Sequence, residues 1–244
     1  LTGKARELGL PAVVLTFEPH PREYFSPADA PARLASLREK LLLLNTAGVD
    51  RCYICRFDAR RAAQSAPSFI DDTLVRGLGV RHLYIGDDFR FGARRQGNFA
   101  MLQEAGAHHG FGVESMPTLA VAGERVSSSA VRAALAEGEL DLAARLLGRR
   151  YFATGQVVPG DGRGRGLGFP TANLAGIPPR KLLPPDGVYA VRVEWRGGRA
   201  DGMMNQGGRP TFQQAERSLE VHLLDHAGDL YGEWLKVEWV ARLR

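Results

Sequence analysis

The sequence predicts two domains of different class, an α/β module with a parallel sheet over residues 1–150 and a closed antiparallel β-barrel over residues 151–244. Three observations carry this expectation. In the first part short apolar runs alternate with helical patterns, which implies crossover connections and therefore parallel strands. After Arg149-Arg150 the texture changes, with 15 glycines and seven prolines between residues 151 and 244. There the helical period gives way to period two, and short strands separated by Gly, Pro and Asp turns suggest closure into a barrel.

Taken in order, residues 12–17 (AVVLTF) follow a Gly-Leu-Pro turn and read as a buried strand, and residues 39–44 begin a leucine-rich helix. Residues 51–57 (RCYICRF) form the second predicted strand, 69–78 the second helix, and 82–85 (HLYI) a third strand running into Gly86-Asp87-Asp88. Ligands of such a sheet collect beyond the carboxyl ends of its strands. Ser127-Ser128-Ser129 then marks a helix start, because serine side chains accept the orphan amide protons of a first turn. That helix runs through Leu135, and another spans 140–147 before Gly148. Beyond 150 the predicted strands are 188–195, 218–224 and 234–240.

Composition narrows the class. The chain has 244 residues, 44% hydrophobic and 24% charged, without the run of about 18 apolar residues needed to span a bilayer. A membrane protein is excluded on that reading. Cys52 and Cys55 are the only cysteines, too few for a secreted disulfide framework, so a cytoplasmic setting is expected. Leu1 opens in what reads as a helix ending, which suggests a fragment or processed product. The net charge of +5 is divided as 20 basic and 17 acidic residues up to 150, then 12 and 10. With no basic run and no nucleic-acid motif, the partners expected are small anionic molecules rather than nucleic acid or membrane. The sequence leaves the oligomeric state open.

Residues 155–174 (GQVVPGDGRGRGLGFPTANL) carry the sharpest chemical signal. Gly160, Gly162, Gly164, Gly166 and Gly168 remove side chains at alternate positions, so a ligand can approach backbone amides, and Arg163 and Arg165 suit polyphosphate. A flexible loop explains the glycines alone equally well. It does not explain Phe169-Pro170 followed by Thr171 and Asn173, two oxygen-bearing side chains that share a face if the stretch is extended and could reach one magnesium ion. No lysine follows as in a P-loop. Glu220 lies with His222 opposite the apolar face formed by Leu219, Val221 and Leu223. It is either a solvated side chain or the acceptor that orients a hydroxyl nucleophile.

Residues 155–174, followed in order by DGVYAV, MMNQGGRPTF and LEVHLLDHAGDLYGEWLKVEW, resemble the riboflavin kinase module. LTFEPHPREYF (15–25), EKLLLLNTAGVD (39–50), GDDFRFGARRQGN (86–98) and VSSSAVRAALAEGELDLAARLLGRRY (126–151) resemble its partner module in the bacterial bifunctional riboflavin kinase/FMN adenylyltransferase, or FAD synthase, family. The resemblance implies a Rossmann-like nucleotidyltransferase domain and a kinase barrel. It implies FMN formation from riboflavin and ATP, then FAD formation from FMN and ATP with release of diphosphate. Thr171 and Asn173 would organise Mg2+ and the ATP phosphates, Gly160 to Gly168 would wrap the nucleotide, and Glu220 would take the ribityl hydroxyl proton. Ser127, Ser128 and Arg132 match the family's ATP-phosphate signature, with Ser129 where threonine is usual. A serine-rich helix start with an arginine one turn on is also an anion site on physical grounds.

The family's first strand and its His-x-Gly-His motif do not occur in these 244 residues. The expectation is therefore a chain short at both ends that makes FMN but not FAD, while a complete parent makes both. A flavin- or nucleotide-binding remnant without catalysis is the competing reading. Asp88, Phe91 and Arg94 are flavin-binding candidates that could equally be core. Cys52 and Cys55 sit in a strand pattern and suggest no metal or redox site. Glu18 and His20 read as a polar turn or a ligand contact, and the three tryptophans as barrel packing.

Overall fold

The computed structural model describes residues 1–86, 88–121, 123–160, 171–208, 217–226 and 228–244. The chain forms two compact units, Leu1–Pro31 with Leu43–Thr118, and Ala32–Leu42 with Leu119–Arg244.

In the first unit α1 (Thr2–Leu8) ends on Gly9 in the left-handed region, where glycine carries no Cβ penalty. Strand β1 (Val13–Glu18) is followed by α2 (Pro21–Phe25) and by α3 (Leu37–Thr46), whose residues up to Leu42 belong to the second unit, and β1 pairs in parallel with β2 (Arg51–Arg56) from Val13 opposite Arg51 to Glu18 opposite Arg56. Helices α4 (Ala59–Ala63) and α5 (Ala66–Ser68) lead into a π-helical segment, Phe69–Gly77. The helical period predicted an ordinary helix here. Instead the Leu78 N–H donates at 3.0 Å to the Thr73 carbonyl, five residues back.

Strand β3 (His82–Ile85), α6 (Phe99–His109) and β4 (Gly112–Ser115) form a second parallel pair. The third predicted strand thus pairs with a strand reading GVES, too short and polar to stand out by pattern. Phe69, Ile70, Leu74, Phe91 and Leu102 form the core against which Leu15, Phe17, Leu83, Ile85 and Val113 pack.

The second unit starts with the short hairpin of β5 (Ala120–Val121) and β6 (Glu124–Arg125), then α7 (Ser128–Ala136) and α8 (Leu140–Leu147). Six strands follow: β7 (Phe152–Val158), β8 (Ala172–Ala175), β9 (Gly187–Trp195), β10 (Gly198–Gly208), β11 (Arg217–Leu223) and β12 (Trp234–Arg242). They close into an antiparallel barrel of order β10-β11-β8-β7-β12-β9, with β9 pairing back onto β10. Period-two sequence gives β9, β11 and β12 an apolar inner row, and Tyr189, Val191, Val193, Met204, Val221, Leu235, Val237 and Trp239 fill the interior. Val131, Leu135, Leu140 and Leu146 join that same core, so α7 and α8 bury their apolar stripes with the barrel although their texture is that of the preceding sequence.

Residues Ala32–Leu42 also pack with the barrel. Arg33 donates its N–H to the Arg180 carbonyl at 2.7 Å and accepts from Leu182 at 2.8 Å. Beneath this contact lies an ion pair between Lys181 and Glu39 at 2.7 Å, with both side chains 1% exposed. Lys181 donates also to the carbonyls of Leu34 (2.9 Å) and Phe152 (2.8 Å), which uses all three ammonium protons. Glu39 accepts from the backbone N–H groups of Thr154 and Ser36, both at 2.8 Å. Complete satisfaction is what allows two charges to sit where isolated ones would be expelled. Burial still pushes the Lys181 ammonium down to about 8, against the opposing pull of Glu39. The sequence pattern had no signal for this pair, because a glutamate in a leucine-rich helix reads as a solvated charge.

Candidate functional site on the barrel face

The barrel register sets three polar residues in one row. Glu220 of β11 stands opposite Asn173 of β8 on one side and opposite Asn205 of β10 on the other. Their chain neighbours Leu219, Val221, Met204 and Gln206 are buried at 0–1% exposure, so alternation turns Asn173, Glu220 and Asn205 to the outer face. The row ends in Val158, opposite Asn173, and Val188, opposite Asn205. One carboxylate therefore lies between two carboxamides, bounded by valines.

Thr171 immediately precedes β8, two positions ahead of Asn173. Gly160 lies against Asn173 so closely that a Cβ there would fall on the carboxamide. The glycine at this position thus has a steric reason, independent of loop flexibility. His222 is the next outward residue of β11, opposite Met203. Gly162, Arg163, Gly164, Arg165, Gly166 and Gly168 lie outside the described residues. The sequence reading missed Asn205, because its place beside Glu220 follows only from the pairing of β10 with β11.

Ser127 caps α7, its hydroxyl accepting the Ala130 N–H at 3.1 Å, while Ser128 is exposed on the first turn. Arg132, one turn on, donates through Nε to the Ala32 carbonyl at 2.7 Å. The guanidinium is thereby anchored to the segment that straps the barrel. In the first unit, Asp88 is exposed and follows β3. Phe91 is 6% exposed, with its ring 5.5 Å from that of Phe69 and stacked at 5.7 Å on that of Phe89. Its backbone pairs with Gly97 in both directions, at 3.2 and 2.9 Å. This ring packs in the core of the first unit, one of the two roles the sequence left open for Phe91. Arg94 and Arg95 are exposed at the tip of the same loop, in the left-handed region at φ 55° and 58°.

Other sequence features resolve into structure. His20 caps α2, its Nδ1 accepting the Arg22 N–H at 3.2 Å while Glu23 accepts the His20 N–H. Cys52 and Cys55 are three apart in β2 and so point to opposite faces, and burial pushes the Cys55 thiol up. Trp239 is interior and Trp234 lies beneath the Arg38 guanidinium at 3.9 Å. Among the described residues no group of three or more His, Cys, Asp or Glu could hold a metal ion, and no helix is long and apolar enough to cross a membrane.

An α/β unit with parallel strands joined in one chain to a six-stranded barrel bearing this row is the architecture of a two-module flavin-nucleotide enzyme class. Residues 1–130 match the family model described as FAD synthetase, and residues 147–244 match the one described as riboflavin kinase. The bifunctional riboflavin kinase/FMN adenylyltransferase of Haemophilus influenzae is 46% identical over 100% of this chain and 79% of its own length. The proteins of that name from Escherichia coli K12 and Bacillus subtilis are 48% and 36% identical, over 100% and 98% of this chain and 78% and 76% of theirs. A solved structure described as a macrolide-efflux protein from Streptococcus pneumoniae superposes with a TM-score of 0.82 at 30% identity, covering 100% of this chain and 79% of that one. The chain belongs to the bifunctional riboflavin kinase/FMN adenylyltransferase family.

Proposed function

We propose that the barrel transfers the γ-phosphoryl group of ATP to the primary ribityl hydroxyl of riboflavin, giving FMN and ADP, and that in a complete parent protein the α/β module serves the second family reaction, FMN and ATP to FAD and diphosphate. Family membership supports the two activities. The observation that carries the kinase assignment to particular residues is the row of Asn173, Glu220 and Asn205 on one barrel face.

In this reading Glu220 accepts the hydroxyl proton as the oxygen attacks phosphorus, so the nucleophile gains charge only as the transfer proceeds. Thr171 and Asn173 supply neutral hard oxygen donors, which suit Mg2+ because that ion keeps several waters and binds substrate phosphates rather than an all-protein cage. Gly160 leaves the space that the Asn173 carboxamide fills, which a Cβ at that position would block. When bound, the ion neutralises charge on the transferring phosphates. Gly160 to Gly168, with Arg163 and Arg165, wrap the nucleotide; Ser128 and Arg132, beside the Ser127 cap, offer an anion site for ATP phosphates, and in the first unit Asp88 and Arg94 contact flavin. We assign the module boundary to the composition change near 150.

The test is riboflavin phosphorylation by the purified chain. Glu220→Gln preserves size and polarity but removes the proton acceptor, so turnover falls by about 10²–10⁴. Riboflavin affinity changes much less, because the isoalloxazine ring supplies most of the contact. Near-normal turnover of this variant would remove the base assignment.

A further inference from the structure

We propose that Asn205 is a positioning residue for Glu220, donating a side-chain N–H to its carboxylate from the strand opposite Asn173. The inference rests on the reading of Glu220 as the proton acceptor and extends it to a residue on a third strand.

Asn205 is the register partner of Glu220 across β10 and β11, as Asn173 is across β8 and β11. Directly opposed side chains on one face stand about 4.5–5.5 Å apart at Cβ. A carboxamide and a carboxylate bridge that span with a single N–H···O bond. Fold stability gives no reason for an asparagine here. The position is exposed, so burial does not select it, and asparagine is depleted in strand interiors. The residues beyond the row on either side, Val158 and Val188, show what the outer face carries where no polar contact is needed.

The two amides divide the work. Asn173 lies beside Gly160, and in this reading its carbonyl oxygen serves Mg2+ and the phosphates. Asn205 offers its NH2 group to one oxygen of Glu220, which stops the carboxylate from rotating and leaves the other oxygen directed at the substrate hydroxyl. Asn205 touches neither substrate nor phosphate in this arrangement, and its whole effect passes through Glu220. Proton transfer is sensitive to such orientation, because the acceptor must lie within hydrogen-bond reach of the proton it takes.

A double-mutant cycle on the intact chain tests this. Steady-state kcat and KM for riboflavin are measured at saturating ATP and Mg2+ for Asn205→Ala, Asn205→Ser, Glu220→Gln and Asn205→Ala with Glu220→Gln. Riboflavin affinity is followed by flavin fluorescence and folding by circular dichroism. Asn205→Ala is expected to lower kcat about tenfold, the scale of one hydrogen bond to a charged group. KM and riboflavin affinity stay within about twofold, and the serine variant recovers part of kcat. In the Glu220→Gln background the alanine has no further effect, since its partner is already gone. If Glu220→Gln lowers turnover but Asn205→Ala leaves kcat unchanged, or if the two losses multiply, the positioning role is overturned while the base survives. If Glu220→Gln keeps normal turnover, the base reading fails and this inference with it.

Discussion

Replacing either member of the Lys181–Glu39 pair should destabilise the barrel unit severely, and unequally. Lys181→Met fills a similar volume and leaves the Glu39 carboxylate on the Thr154 and Ser36 amides, but strips it of its counter-charge and orphans the carbonyls of Leu34 and Phe152. Glu39→Gln keeps one amide acceptor, leaves a second buried N–H unpaired and turns an NH2 group toward a buried ammonium. Breaking a buried pair from one side costs about 3–5 kcal/mol, and an unpaired buried amide adds about 1–3. Lys181→Met should therefore fall near the lower end and Glu39→Gln at or above the upper, large fractions of a stability of about 5–15 kcal/mol. The double variant should cost less than the sum of the singles by about 1–3 kcal/mol, because one interaction is lost twice in that sum. Trp195, Trp234 and Trp239 all lie in the barrel, so urea unfolding followed by tryptophan fluorescence reads this unit alone. Two single variants each costing under about 1 kcal/mol, or a strictly additive double, would refute the account.

Lys181 and Gly160 give two more outcomes. Burial holds the Lys181 ammonium at about 8 against an ordinary 10.5, so between those values the unfolded chain binds more protons and native stability gains with rising pH. The stability gap between wild type and Lys181→Met should accordingly widen from about pH 7.5 to about pH 9.5, and a gap that stays flat or narrows in urea melts would contradict the burial argument. Gly160→Ala should place its methyl on the Asn173 carboxamide and reduce FMN formation at least about tenfold while leaving the urea midpoint near that of wild type; normal turnover would show that Asn173 does not depend on the space this glycine leaves.

The amino-acid sequence by itself determined what depends on near neighbours. Period two assigned Leu219 and Val221 to the barrel interior and Glu220 to its outer face, and the Ser127 cap, the strands β1, β2 and β3 of the first unit and β9, β11 and β12 of the barrel were legible because caps, turns and alternation are properties of a few adjacent residues. Only the tertiary structure decided which strands became neighbours. The placement of Asn205 beside Glu220 requires the closed order of six strands, a quantity set by loop lengths and barrel closure rather than by any local pattern. The Lys181–Glu39 pair joins residues 142 apart, each of which alone resembles a solvated surface charge. For Phe91 the sequence left core and ligand contact open, and its packing against Phe69 follows only from the tertiary structure. The helices of residues 128–147 share their texture with the sequence before them yet bury their apolar stripes on the barrel core, because the destination of an amphipathic face is settled by the complementary surface it meets, and that surface is assembled from residues far away in the chain.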